Sequence, residues 1–175
     1  MSIVARSIVD AAQRVIGNGE NLLKGVTPEK FARFAAPGGA MVVSNHPSFV
    51  YGHLCLYPAK FLENAGKDAS ALAMPQRYTD VFNAGVECQD DPNGTIYPPM
   101  EEVVANFKRV HAELFKVMLE MTDADFAKPP AHERSRNFLP TLGALGSFYF
   151  LAHTMLHLGQ VSAWRRCMGL GSANG

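Results

Sequence analysis

Two histidines four residues apart, His153 and His157, lie inside Phe148–Arg166, a stretch that reads as one uninterrupted helix. At 3.6 residues per turn, a spacing of four places both imidazoles on one face, one turn above the other. A third histidine, His53, lies on an earlier helical stretch in Tyr51-Gly52-His53-Leu54. Neutral imidazole is the commonest protein ligand for zinc, nickel and related divalent ions. Three histidines from two helices leave a fourth coordination position for water or substrate, which is how catalytic metal sites differ from closed structural ones. An ion so held lowers the pKa of a bound water or thiol and yields a nucleophile near neutral pH. A histidine pair at this spacing is equally what a satisfied core or a helix surface contains, and spacing alone leaves both readings open.

The neighbours of these histidines divide in the same way. Tyr149 precedes His153 by four, and Gln160 and Trp164 follow His157 by three and seven, so all share one face. Gln160 is placed to hydrogen-bond a ring nitrogen or a ligand, or else is a surface polar residue. Phe49 and Tyr57 flank His53 at minus and plus four, as bundle core or as aromatics beside the metal. Phe49, Tyr57, Tyr149 and Gln160 are therefore the pocket candidates, whereas Trp164 suits core or pocket wall. His46 is two turns before His53, about 10 Å by helix rise, too far to share an ion and better placed as a cap or at a pocket mouth. His111 and His132 lack a partner at ligand spacing and are expected at the surface. Cys55, two residues from His53, falls on a different helix face and suits a small core residue. No GxSxG, glycine-rich phosphate loop or CxxC occurs, and no carboxylate accompanies the histidines at helical spacing, so no catalytic residue is identified.

Four long helical segments must position these groups. The first runs from about Ser2 to Leu23, with Ile3, Ser7, Ile8, Ala11, Val15 and Leu22 near helical spacing. Thr27-Pro28 opens a short helix to about Phe34. The second long helix starts at Asn45-His46-Pro47 and reaches about Asn64. A long connection rich in proline, glycine and aspartate follows to Pro99, with a short helix over about Arg77–Asn83 and room to supply a pocket wall. The third helix spans about Pro99–Met121, its face drawn by Val103, Val104, Phe107, Val110, Leu114, Val117 and Met118, with Glu101, Glu102, Glu113 and Glu120 as a solvated side. Thr122–Asp125 has the form of a capping box. The fourth helix begins near Thr141 and closes with Arg165-Arg166 before Gly169, cations suiting its C-terminus. Without alternating strand patterns, the expectation is an all-α fold: a four-helix bundle with a long middle crossover and short extra helices.

The 175 residues suit a single domain, 1–175. Hydrophobic residues make up 47%, and 16 basic residues balance 16 acidic ones, so no cationic surface favours nucleic acid. The amphipathic N-terminus resembles neither signal peptide nor anchor, and no apolar run suits a membrane span. Three cysteines, an odd number without CxxC spacing, suit free thiols in a cytoplasmic protein.

Asn45-His46-Pro47 leads to Tyr51-Gly52-His53-Leu54; His153-Thr154-Met155-Leu156-His157-Leu158-Gly159-Gln160 comes much later, with Arg165-Arg166 after it. Between them stand Tyr78–Phe82, Tyr97-Pro98-Pro99 and Met121–Asp125. In order and separation these segments resemble the DinB-like superfamily of metal-binding four-helix bundles, over residues 3 to 168. The resemblance implies that His53, His153 and His157 hold a divalent metal, nickel or zinc, and that the protein is a homodimer. It also implies kinship with thiol-dependent transferases and maleylpyruvate isomerases, which use low-molecular-weight thiols such as bacillithiol or mycothiol. The leading expectation is a metal-dependent transferase, isomerase or hydrolase acting on a small molecule. The alternative is a non-enzymatic, stress-related binding bundle with a vestigial metal site. A DNA-repair role is disfavoured by the balanced charge.

Overall fold

Ser2 starts the first helix by capping it: its hydroxyl accepts from Ala5 N–H while donating to Asp123 at 2.5 Å. Asp123 also accepts from Val4 N–H, which places a carboxylate where the helix dipole is positive. The computed structural model describes residues 2–173. Helix α1 (Ile3–Leu22) buries Ala5, Ile8, Val9, Ala12 and Ile16, an apolar stripe at three- and four-residue steps. After the short α2 (Pro28–Phe31) and a 3-10 turn at Pro37–Gly39 come α3 (Pro47–Leu54) and α4 (Tyr57–Asn64). The crossover carries a 3-10 turn at Ser70–Leu72 and α5 (Gln76–Phe82) before α6 (Met100–Glu120). The chain ends through α7 (Asp123–Phe126), α8 (Glu133–Phe138), α9 (Leu142–Ser147), a π-helical segment (Phe148–His153) and α10 (Thr154–Cys167). α1 packs on α6, α9 and α10, while α3 packs on α6 and α10, which makes the all-α bundle. Among the described residues no helix is long and apolar enough to cross a membrane.

Two of the expected long helices are broken, for identifiable reasons. The segment from Asn45 to Asn64 is two helices, because Pro58 lacks the N–H that would bond the Leu54 carbonyl and its ring crowds that turn. The Phe148–Arg166 helix does not run uniformly: its first turns are π-helical, and Thr154 Oγ1 takes up the Tyr149 carbonyl at 2.8 Å. α8 has no side-chain cap and buries no residue, so neither capping nor periodicity marks it in the sequence.

Of the arginine pair that closes α10, Arg166 donates to the Ser162 carbonyl of its own helix as expected, whereas Arg165 acts elsewhere. Arg165 is 3% exposed, and its guanidinium donates to the carbonyls of Leu22 and Lys24. It therefore meets the C-terminal end of α1, a neighbouring helix whose own last turn carries no cation. Trp164 is buried beside it and donates to the Arg33 carbonyl at 2.8 Å.

His111 corrects another expectation. It lies one turn after Phe107 on the buried face of α6, 1% exposed, with Nδ1–H donating to the Phe107 carbonyl at 2.7 Å. Its position was legible: Val103, Phe107, Val110, Leu114 and Met118 trace the stripe on which His111 falls. Burial pushes its pKa down to about 4, so the folded chain keeps it neutral. His132, by contrast, is exposed as expected.

Gly52 lets α5 close on α3. A Cβ there would overlap the ring of the fully buried Phe82. Alanine is a better helix former than glycine by about 1 kcal/mol, but the ring has nowhere to go, so overpacking decides the sign. Gly52→Ala is expected to lower stability by about 2 kcal/mol in denaturant unfolding; an unchanged midpoint would show that Phe82 can yield. His111 predicts a pH dependence. In the unfolded chain it takes up a proton near its ordinary value, about 6.5, and in the fold only near 4. Stability is therefore lost as pH falls through that window, by up to about 3 kcal/mol for this residue. His111→Leu is expected to flatten the thermal midpoint's fall between neutral pH and about pH 4.5.

Candidate metal centre

His53 sits in the last turn of α3, at the break before Pro58, and its ring is held from behind. Nδ1 lies 2.7 Å from the Phe82 carbonyl at the end of α5. A carbonyl only accepts, so Nδ1 carries the proton and Nε2 presents a lone pair. His157, on the first turn of α10, is held likewise: its Nδ1 lies 2.9 Å from Gln160 Oε1. Gln160 Oε1 also accepts from Asn45 Nδ2 at 3.1 Å, just ahead of α3. His157 Nε2 thus faces inward bare as well.

His153 completes the group from the end of the π-helical segment. Its Nε2 lies 3.3 Å from His53 Nε2 and 3.0 Å from His157 Nε2. One ligand atom from each histidine falls within 4.8 Å of the others, and no carboxylate or thiol joins the cluster among the described residues. His153 Nε2 can give a proton to one neighbour only. The Tyr57 hydroxyl, 3.1 Å from His53 Nε2, can satisfy the second lone pair. That leaves His153 Nδ1 buried with no partner, a polar atom whose desolvation nothing offsets.

A divalent cation fits this arrangement better than protons do. It would accept from all three Nε2 atoms at once. A tetrahedral ion with nitrogens at about 2.0–2.1 Å sets them about 3.3 Å apart, near the two separations above. Two of the three rings already have the outer-nitrogen hydrogen bond that orients metal-binding imidazoles. The rings are also kept uncharged. Burial, only partly offset by the Phe82 carbonyl, pushes His53 down to about 4, with His157 and Lys60 adding to it. Burial followed by the charges of His157, His53 and Lys60 pushes His153 down to about 3. Burial lowers His157 too, against its bond to Gln160.

The pocket candidates all lie in this neighbourhood. Phe49 stacks on His53 with rings 6.0 Å apart and 9° from parallel. Tyr57 packs 4.3 Å from the His153 ring centroid, and Tyr149 stands edge-on to Tyr57 at 4.8 Å. Gln160 is the hydrogen-bonded orienter of His157. His46 lies apart from the cluster. It is the cap of α3, accepting from Phe49 N–H and donating to the Gln89 carbonyl, and at 0% exposure it stands at no pocket mouth. Cys55 is fully buried and its thiol is held protonated by burial. Three participants had no signal at ligand spacing: the Phe82 carbonyl, which only the crossover's return supplies; Asn45, which orients Gln160; and Phe148, whose ring lies 5.8 Å from His153.

A cavity of about 630 Å³ abuts the cluster, a size typical of small-molecule sites. The three histidines do not line it. Tyr57, Phe148 and Tyr149 stand between, each with one side on the cavity. Tyr57 is thus shared: its hydroxyl reaches His53, and its ring is cavity wall.

The model of the DinB superfamily matches residues 11–161, a span that contains all three histidines. The chain belongs to the DinB superfamily. No curated protein matches it.

The low pKa values of the free imidazoles imply weak competition from protons. Zinc affinity, followed by competition with a chromogenic chelator, is expected to change little between neutral pH and about pH 5.5, and to fall steeply only below about pH 5. A decline that begins near pH 6.5, the ordinary histidine value, would mean that the rings are hydrated and chargeable.

Proposed function

We propose that this DinB-superfamily chain is a metal-dependent enzyme acting on a small molecule, with zinc or nickel held by His53, His153 and His157. The observation that carries the reading is the inward convergence of three neutral Nε2 atoms, two of them fixed as lone-pair donors by bonds on the far side of the ring. A bound divalent ion supplies Lewis-acid chemistry, lowering the pKa of a thiol or water at its remaining position. Everything else is done by the chain. Phe82 and Gln160 orient the rings. Phe49, stacked on His53, and Tyr149, packed on Tyr57, cover the cluster with apolar surface that excludes water.

Tyr57 has the most direct chemical role open to a side chain here. Burial pushes its pKa up to about 12, followed by the effect of Tyr149, so the hydroxyl keeps its proton at neutral pH. It is a hydrogen-bond donor at the edge of the cluster, placed to stabilise negative charge on a reacting atom. With no carboxylate in the cluster, lowering the pKa of the attacking group falls to the ion alone. A low-molecular-weight thiol, more acidic than water, asks least of it, which favours transfer or isomerisation over hydrolysis.

Two measurements test the reading. Purified wild-type protein is expected to hold close to one zinc or nickel per chain by elemental analysis, and His153→Ala to hold almost none; equal, negligible metal in both would sink the proposal. The metal-loaded protein is then expected to speed the reaction of N-acetylcysteine with 1-chloro-2,4-dinitrobenzene, and Tyr57→Phe to reduce that effect by about tenfold. Full metal binding without any acceleration would favour the non-enzymatic, binding-bundle alternative.

A further inference from the structure

The cavity beside the metal cluster carries charge in an uneven way. Lys60 of α4 and Arg134 of α8 both border it, and neither has a carboxylate within ion-pair distance among the described residues. Lys60 is half-buried; its ammonium donates to Asn83 Oδ1 at 2.8 Å and lies 5.1 Å from the centre of the Tyr57 ring. Glu63 is the one acid on the rim, and its near neighbour is His132 at 4.0 Å. Two fixed cations against one carboxylate leave a net single positive charge.

The walls are flat and apolar. Four aromatic rings line it: Tyr57, Phe148, Tyr149 and Phe138 of α8. Phe138 is 58% exposed, a large apolar ring left on the rim, and it stands edge-on to Phe148 at 4.9 Å. An exposed aromatic bordering a concave space is more informative than an isolated surface phenylalanine. The bond to Asn83 uses one of the three Lys60 ammonium donors and the Tyr57 ring face attracts the charge, which leaves donors for an anion. The Lys60 pKa is lowered by burial, against the pull of Glu63, and lowered further by Arg134.

We infer that this cavity is a binding site for a planar organic monocarboxylate, its carboxylate held by Lys60 and Arg134 and its flat body packed against Tyr57 and Phe138. The assignment deepens the proposed function, since it rests on that reading to make the ligand a substrate; binding itself does not require the metal. One net positive charge matches a monoanion, the aromatic walls select a flat body, and Arg134 offers the forked donor geometry that a carboxylate meets with two bonds. Because Lys60 stands over the Tyr57 ring, a carboxylate held there lies beside Tyr57, the residue that joins the cavity to the histidines.

The test uses naphthalene-2-carboxylate and its neutral isostere naphthalene-2-carboxamide as probes, by isothermal titration on chelator-treated and on zinc-loaded protein. The carboxylate is expected to bind at least about tenfold more tightly than the amide. Lys60→Gln and Arg134→Gln are each expected to weaken the carboxylate by about five- to tenfold while leaving the amide unchanged, which also shows that the cavity is intact. Equal binding of the two probes, or carboxylate binding indifferent to both substitutions, would overturn the assignment. Carboxylate binding seen only with zinc present would overturn it as well, by placing the anion on the ion. Binding retained in chelated protein, with no zinc uptake on reloading, would leave the cavity assignment standing and remove the metal reading alone.

Discussion

The hydrogen bond from His53 Nδ1 to the Phe82 carbonyl, 2.7 Å long and sealed from solvent, is the contact on which the candidate centre turns. It decides the tautomer of His53, and so which nitrogen faces His153 and His157. It exists only because the crossover returns α5 to the side of α3, and α5 can approach only because residue 52 has no side chain. Phe82 therefore acts twice, as a ring filling the core at Gly52 and as a carbonyl fixing the neighbouring imidazole. A backbone acceptor in this role is robust: it cannot be protonated, and it moves only if the helix end moves.

The helix irregularities serve the same end. Pro58 stops α3 just past His53 and lets Tyr57 begin a new helix with its hydroxyl directed back at the ring. On the opposite side, the π-helical turns deliver His153 at their last residue, one regular turn before His157. Such local departures from α geometry persist where packing over-determines them, and they recur at functional sites. The cost of keeping three uncharged, largely desolvated imidazoles together is visible in the orphaned Nδ1 of His153. A cluster arranged for stability alone would have filled that space with apolar side chains.

Much of the fold was legible in the chain. The stripe on α6, the Thr122 cap and the short helix near Tyr78 follow from local rules of periodicity and capping, whereas α1 buries Ala5, Val9, Ala12 and Ile16 beside Ile8 and leaves the expected Ile3 and Ala11 exposed. His111 could have been placed by the same rule, since it occupies a stripe position; its polarity outweighed its register. The breaks were less legible because each turns on energies of a few kcal/mol that neighbouring helices can override. Pro58 was visible, but whether it ends a helix or starts one depends on what packs around it. Arg165 illustrates the limit: a cation in a last turn suits its own helix, and only packing reveals that it caps another.

The sequence by itself determined that this chain makes an all-α bundle of the DinB superfamily and that His153 and His157 share a helix face, because both follow from periodicity and from short ordered motifs. It also put Tyr149 and Gln160 within about a turn of that pair, and Phe49 and Tyr57 within about a turn of His53. Only the tertiary structure decided that His53, a hundred residues away, brings its Nε2 to within 3.3 Å of His153, that a carbonyl from the crossover sets its tautomer, and that Lys60 and Arg134 border one aromatic cavity. The physical reason is range. Helical spacing relates residues up to two turns apart, whereas a site assembled from α3, α5, α8 and α10 depends on how separate elements dock, which no local pattern encodes.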